Sequence, residues 1–269
     1  MSVVEGEEIV RVAARGDGMT ASGRHVPMAA PGDILRSDGT LARGPHHREP
    51  ACRHFPACGG CQLQHLDDAA WGGFLADRIA GALAAHGLTA RIDTPELSPP
   101  HSRRRATFHA ERRGRQVLLG FTEQANHRVI DLAECPVLHT DLWRLLMPLR
   151  ALLAAMLGPS ARSDVQLTLV DQGVDVTIDR LPADGLATAE ALTAFARRHG
   201  LARLSVDDGF GPQPRWEPEP VTVTLSGVAV PFPGGAFLQA TREGEAALIA
   251  AVRAAVGEAG AIADLFAGL

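Results

Sequence analysis

Four cysteines limit what this chain can fold into more than any other feature of it. Cys52, Cys58 and Cys61 are spaced C-x5-C-x2-C, and Cys135 stands far downstream, directly before Pro136. The first residues are acidic at Glu5, Glu7 and Glu8 and form no basic-then-apolar signal sequence, so a cytoplasmic location is expected. In that reducing compartment four cysteines point to metal or cluster binding ahead of structural disulfides. A cubane [4Fe–4S] cluster takes four thiolates, and three close ligands with a distant fourth suit it. Gly59 and Gly60 are expected to let the loop wrap closely and turn amide N–H groups toward sulfide. Zinc stays open on spacing alone, because four-thiolate sites tolerate irregular intervals and His54 or His65 could substitute as a ligand.

Charge narrows the partners. A net charge of −5 argues against nucleic-acid binding by the whole surface. Between His101 and Arg128, however, Arg103, Arg104, Arg105, Arg112, Arg113, Arg115 and Arg128 stand against only Glu111 and Glu123. A local excess of this kind is what a phosphate-facing strip looks like, although an exposed hairpin in a lysine-free protein has the same pattern. On a strand, alternate residues face opposite ways, so Arg104 and Arg105 are not both expected to face RNA. The longest apolar stretch, 142–157, is interrupted by Arg144 and Arg150, so a buried amphipathic helix is expected and no membrane partner.

The pattern along the chain is α+β. Residues 1–45 are short, turn-rich and β-like, with a strand over 8–13, a turn at 15–18 and a return strand from Gly23, enough for part of a small barrel. The stretch 37–50 reads as a linker, and the cysteine loop occupies 46–70. The periodicity then predicts a helix over 71–86, strands over 104–111, 116–121 and 127–132, and a long helix over 138–157. A hairpin over 165–178, a helix over 187–199 and a strand over 201–206 follow. Residues 209–220, with four prolines and two glycines, read as a loop. A last hairpin spans 221–231, and Thr241 is a fitting N-cap for an Ala-rich helix to Val256. An apolar run, 261–266, ends in Ala267-Gly268. The expected domains are 1–45, 46–70, 71–232 and 233–269.

At this point the motifs carry a family resemblance. The segment from Cys52 to His65, with Cys58-Gly59-Gly60-Cys61 and Gln64-His65 at its end, closely resembles the cluster loop of bacterial RNA 5-methyluridine methyltransferases. Gly120-Phe121, Asp131 and Cys135-Pro136-Val137-Leu138 resemble that family's segment for the fourth cluster ligand. Gly235-Ala236-Phe237-Leu238-Gln239 resembles the G-x-F-x-Q element ahead of its methyltransferase domain, and Asp264-Leu265-Phe266-Ala267-Gly268 the opening of its cofactor-binding fold. The resemblance runs along nearly the whole chain. It implies a TRAM-like, OB-type barrel segment at 1–45, a central RNA-binding α/β region with a [4Fe–4S] loop, and the start of a Rossmann-like domain. It assigns Cys52, Cys58, Cys61 and Cys135 to the cluster, Gln239 and Phe266 to S-adenosylmethionine, and Arg103, Arg104 and Arg105 to the RNA. Where the family has Asn two residues after the Gln, this chain has Thr241, so helix-cap or cofactor contacts there are expected to differ.

The chemistry the family implies is methylation of uridine at C5, in 23S rRNA first and tRNA second, by a monomeric enzyme. Uracil C5 is a poor nucleophile. A Cys thiolate adds to C6 and turns C5 into an enolate-like carbon that attacks the sulfonium methyl, after which a base removes the C5 proton. All four cysteines of this chain are claimed by the cluster and no carboxylate motif matches the base, so no catalytic residue is expected within it. On that count the chain reads as a truncated, inactive piece, close in practice to a metal-bearing RNA-binding module.

Overall fold

The computed structural model describes residues 6–182 and 185–265. Two compact units divide the chain: one takes the residues up to 97 together with 109–113 and 118–136, the other takes 98–108, 114–117 and the rest.

The first unit opens with five short strands, β1 (Glu7–Val12), β2 (Gly18–Thr20), β3 (His25–Val26), β4 (Ile34–Leu35) and β5 (Leu41–Ala42). They pair antiparallel in the order β3-β2-β1-β4-β5 and curl as a half-barrel. A register shift between Ile9 and Arg11 breaks the strict alternation of β1, so Ile9 and Val12, three apart, both turn inward. The stretch 37–50, expected as a linker, is tied down instead. It contains β5, and the fully buried Asp33 accepts the Gly44 amide at 2.7 Å, the Ala30 amide at 2.8 Å and meets His47 Nδ1 at 2.7 Å. A carboxylate out of reach of water has to fill its acceptor sites from the protein, and this loop supplies two of the three donors.

Helix α1 (Asp68–Ala84) starts at Asp67, whose carboxylate accepts the Ala70 amide at 2.8 Å. Its first turns carry Ala70, Trp71 and Phe74 onto Val12, Ala30 and Leu66, while beyond them Ile79 is exposed. Strands β6 (Arg105–Arg113) and β7 (Gln116–Gly120) follow. The third strand expected at 127–132 does not form; the segment makes a single bridge, Val129 to Thr122, and otherwise runs as an irregular return.

In the second unit α2 (Thr140–Met156) buries Leu142, Leu145, Leu146, Leu149 and Leu153, a one-faced stripe at helical spacing. It packs on β8 (Arg162–Val170), which forms a tight hairpin with β9 (Gly173–Asp179). Helix α3 (Leu186–Arg198) then crosses over to β10 (Arg203–Asp207), parallel to β9. The proline-rich segment expected as a loop contains a further strand, β11 (Pro212–Trp216), antiparallel to β10. It lies at an edge of the sheet order β11-β10-β9-β8-β6-β7, where residues without an N–H can face outward and leave no bond unmade. Buried Arg203 and Asp175, neighbours across β10 and β9, form a two-pronged ion pair at 2.7 and 3.0 Å, and Arg203 also reaches the Phe232 carbonyl at 3.1 Å.

The hairpin of β12 (Thr222–Leu225) and β13 (Val228–Pro231) packs Val221 and Val223 with Phe232, Leu238, Val170 and Ala202. Helix α4 (Arg242–Val256) comes last and buries none of its residues. The apolar run at 261–266, which the resemblance makes the opening strand of the cofactor-binding fold, forms no strand over 261–265; these residues run exposed and without regular structure. A parallel strand of a Rossmann-like sheet takes its hydrogen bonds and both buried faces from neighbouring elements, and none lies against this segment among the described residues. Phe266 falls outside the described residues.

Candidate functional site

The cysteine loop is built by local bonds that leave its sulfurs on one side. The Cys52 amide donates to Gln64 Oε1 at 3.2 Å, closing the loop from Cys52 to Gln64 on itself. The Gly59 amide donates to the Thr122 carbonyl at 2.9 Å, and the Gln124 amide to the Ala57 carbonyl at 3.0 Å, so the loop lies against the turn after β7. A side chain at Gly59 would come within 3.0 Å of that Thr122 oxygen, and one at Gly60 within 3.1 Å of the Phe121 ring. The glycine pair therefore permits close approach, as expected. The amides divide, however: that of Gly59 is committed to Thr122, while that of Gly60 turns toward the Cys58 sulfur.

Cys135 reaches the loop along an irregular path held at several points. Asp131 accepts the Leu119 amide at 3.1 Å, the Ile130 amide bonds the Phe121 carbonyl at 2.8 Å, and the Ala133 amide donates to His54 Nε2 at 3.0 Å. Glu134 takes the Arg53 amide at 2.6 Å and the Arg53 guanidinium at 3.1 Å. Cys52, Cys58, Cys61 and Cys135 then line one hollow with Phe55, Phe121, Leu132 and Gln64. Phe121 belongs to a segment singled out from the sequence, whereas Glu134, Phe55 and Leu132 were not; Glu134's place beside Cys135 was the available signal.

Cys52 and Cys58 are buried and the other two half-buried. Burial pushes the Cys52 and Cys58 thiols up from their ordinary value, opposed mainly by the His54 amide at Cys52 and the Gly60 amide at Cys58, while the Phe55 amide donates to the Cys52 carbonyl at 3.1 Å. The His54 and Gly60 N–H groups are the ones that would stabilise a thiolate once a cation binds. Among the described residues no three His, Cys, Asp or Glu side chains converge on one point as a single ion needs. His54 spends Nε2 on the Ala133 amide, and His65 does not line the hollow. His65 is buried with neither ring nitrogen in good hydrogen-bonding geometry, stacked on Phe55 at 5.9 Å and edge-on to His47 at 5.9 Å. Burial holds it neutral, below its usual imidazole value.

In the second unit the arginines separate by strand alternation. Arg104 shares the inward face of β6 with Ala106 and Phe108; its Nε donates to the Gln239 carbonyl at 3.0 Å and its guanidinium pairs with Glu245. Arg103 and Arg105 are half-exposed, and the Arg105 guanidinium lies 4.5 Å from the centre of the Phe237 ring. The arginine run and the Gly235–Gln239 element are thus brought together, although nothing in the spacing of the two segments foretold it. Thr241 caps α4 by accepting the Gly244 amide at 3.1 Å, and its hydroxyl meets that of Ser98 at 2.7 Å. Gln239, half-buried, and the irregular 261–265 segment make no enclosed site for S-adenosylmethionine by themselves.

No protein-family model matches the chain. It is 45% identical to an uncharacterized RNA methyltransferase of Zymomonas mobilis, over 98% of this chain and 66% of that protein. An uncharacterized RNA methyltransferase of Rhizobium meliloti is 33% identical, over 97% of this chain and 66% of its own length. The 23S rRNA (uracil(1939)-C(5))-methyltransferase of Edwardsiella ictaluri is 33% identical over 64% of this chain and 40% of its own. The chain thus spans about 66% of the length of the first two relatives. Its fold is that of the Pyrococcus abyssi tRNA (uracil-54, C5)-methyltransferase solved with S-adenosyl-L-homocysteine, with a TM-score of 0.64, 18% identity, and coverage of 94% of this chain and 65% of that one. By descent and by fold, the chain belongs to the RNA methyltransferases of the uracil-C5 family.

Proposed function

We propose that this chain is the cluster-bearing, RNA-binding part of an S-adenosylmethionine-dependent enzyme that methylates uridine at C5, with 23S rRNA as substrate ahead of tRNA. The observation that carries the reading is the meeting of all four cysteines around one hollow walled by Phe55, Phe121 and Leu132. Four thiols spread about a cavity fit a cubane, whose four irons each take one thiolate, better than a lone ion. The N–H groups already turned toward Cys52 and Cys58 suit bridging of negatively charged sulfur. The cluster supplies a cross-link here: it ties the 52–61 loop to the segment after β7.

Methyl transfer through addition to C6 needs a further thiol. Every cysteine in this sequence lines the hollow, so the 269-residue chain binds RNA and leaves it unmethylated. The residues present do not enclose S-adenosylmethionine, and no chemical step is assigned to Gln239.

The test is the iron and acid-labile sulfide content of anaerobically purified protein, with its visible spectrum. About four of each per chain is expected, lost in Cys135→Ser. Zinc without sulfide would replace this reading with the second one, a four-thiolate metal site in a non-catalytic RNA-binding module. That alternative is kept alive by the same ligand set.

A further inference from the structure

A second cleft, within the second unit, is used by nothing described so far. It holds about 190 Å³ where the chain enters β6 and α2, lined among others by Pro99, Pro100, His101, His139, Leu169 and Arg242. His101 adopts a left-handed backbone, φ 58°, which a residue with a Cβ takes up at a cost and which tends to be retained where a side chain must be presented.

The two imidazoles are fixed in complementary states. His101 Nδ1 faces the Leu138 carbonyl at 3.3 Å; a carbonyl only accepts, so this nitrogen carries the proton and Nε2 is left with a lone pair. His139 Nδ1 accepts the Asp141 amide at 3.2 Å as the N-cap of α2, with the Asp141 carboxylate 3.5 Å from the same nitrogen; accepting the amide leaves the ring proton of the neutral imidazole on Nε2. The two rings thus bring one acceptor and one donor to the cleft lining, beside the apolar side chains of Pro99, Pro100 and Leu169. Arg104 and Arg242 bring positive charge to the lining, the first already paired with Glu245 and the second offset by Glu243 in the same cleft. A bare phosphate would find little net charge there. A nucleobase presents what the walls complement: two flat apolar faces and an edge with adjacent donor and acceptor.

We propose that this cleft is a nucleobase subsite, taking one unstacked base of the bound RNA between Pro99, Pro100 and Leu169 and reading its edge with Nε2 of His101 and Nε2–H of His139. The inference rests on the reading of the chain as an RNA-binding protein and names one place where a base, rather than the backbone, is held.

The experiment measures binding of the 269-residue chain to a fluorescein-labelled single-stranded RNA and to an abasic oligomer of the same length, by fluorescence anisotropy across a salt series. His101→Ala and His139→Ser are compared with the unaltered chain; serine is itself a good N-cap, so α2 keeps its start, and urea midpoints check that both variants fold. Each variant is expected to bind the normal RNA about tenfold more weakly, the size of one lost base contact, with an unchanged salt slope. Binding to the abasic oligomer should not change. Equal weakening toward both oligomers, or none toward the normal RNA, overturns the base subsite while leaving RNA binding intact. Failure of the unaltered chain to bind either oligomer overturns the RNA-binding reading itself.

Discussion

Arg203 and Asp175 sit side by side in the middle of the sheet with almost no access to water, and neither has a substitute partner of comparable geometry. Replacing Asp175 by Ala strands a guanidinium in the core and is expected to cost about 3–5 kcal/mol, read as a lowered urea midpoint. Replacing both by apolar residues of similar volume should cost far less, since no uncompensated charge remains. His65 illustrates the opposite case, a buried polar ring with no ion-pair partner among the described residues, packed between Phe55 and His47. Because its folded pKa lies below the ordinary value of about 6.5, the unfolded chain takes up protons first as pH falls. Its contribution to stability is therefore present above that value and is lost on acidification through and below it. His65→Phe should flatten this acid-side loss in urea unfolding followed from about pH 7 to pH 5, at little cost at neutral pH. Spacing marked the cysteines as a candidate ligand set and the glycines as the place of close approach, while the choice of group came only from the resemblance. The roles of Gln64 as a loop clasp and of Glu134 as the anchor beside Cys135 could not be read there, because each depends on a partner many residues away.

Elements were legible where one face is apolar at a regular period, as in α2 and the β8–β9 hairpin. They were illegible where pairing partners decide. Strand β11 is composed of residues that discourage strands, and it exists because β10 offers it an edge that does not require their N–H groups. The converse holds at 127–132, where a plausible strand pattern yields one bridge, since Asp131 spends its side chain on the Leu119 amide and the segment peels away toward Cys135. The 261–265 run fails for the same reason on a larger scale. Helix α4 is the element most dependent on its own ends, having no buried face among the described residues. Removal of its cap in Thr241→Ala should therefore cost about 1 kcal/mol of local stability, seen as faster amide exchange over the first turn, with Thr241→Asn restoring protection.

For the molecule as a whole, net charge and site charge have opposite signs. A chain at −5 repels a polyanion at long range, so attraction has to come from the exposed arginines near β6 over distances shorter than the screening length. Arg104 is spent on Gln239 and Glu245, and Arg113 and Arg128 are paired with Glu111 and Glu123. The count of seven arginines thus overstates the charge free to meet phosphate. Arg105→Ala is expected to lower the slope of log affinity against log salt by about 1, whereas Arg104→Ala should act through loss of folding and leave the slope of the folded fraction unchanged.

The path that brings Cys135 to the other three thiols also sets a clock. During synthesis Cys52, Cys58 and Cys61 leave the ribosome together, and the stretch up to Cys135 follows over several seconds, at roughly 5–20 residues per second. Until then the loop can offer the proposed cluster only three of its four thiols, and Phe121 and Leu132, which wall the hollow in the finished fold, have yet to arrive with Cys135.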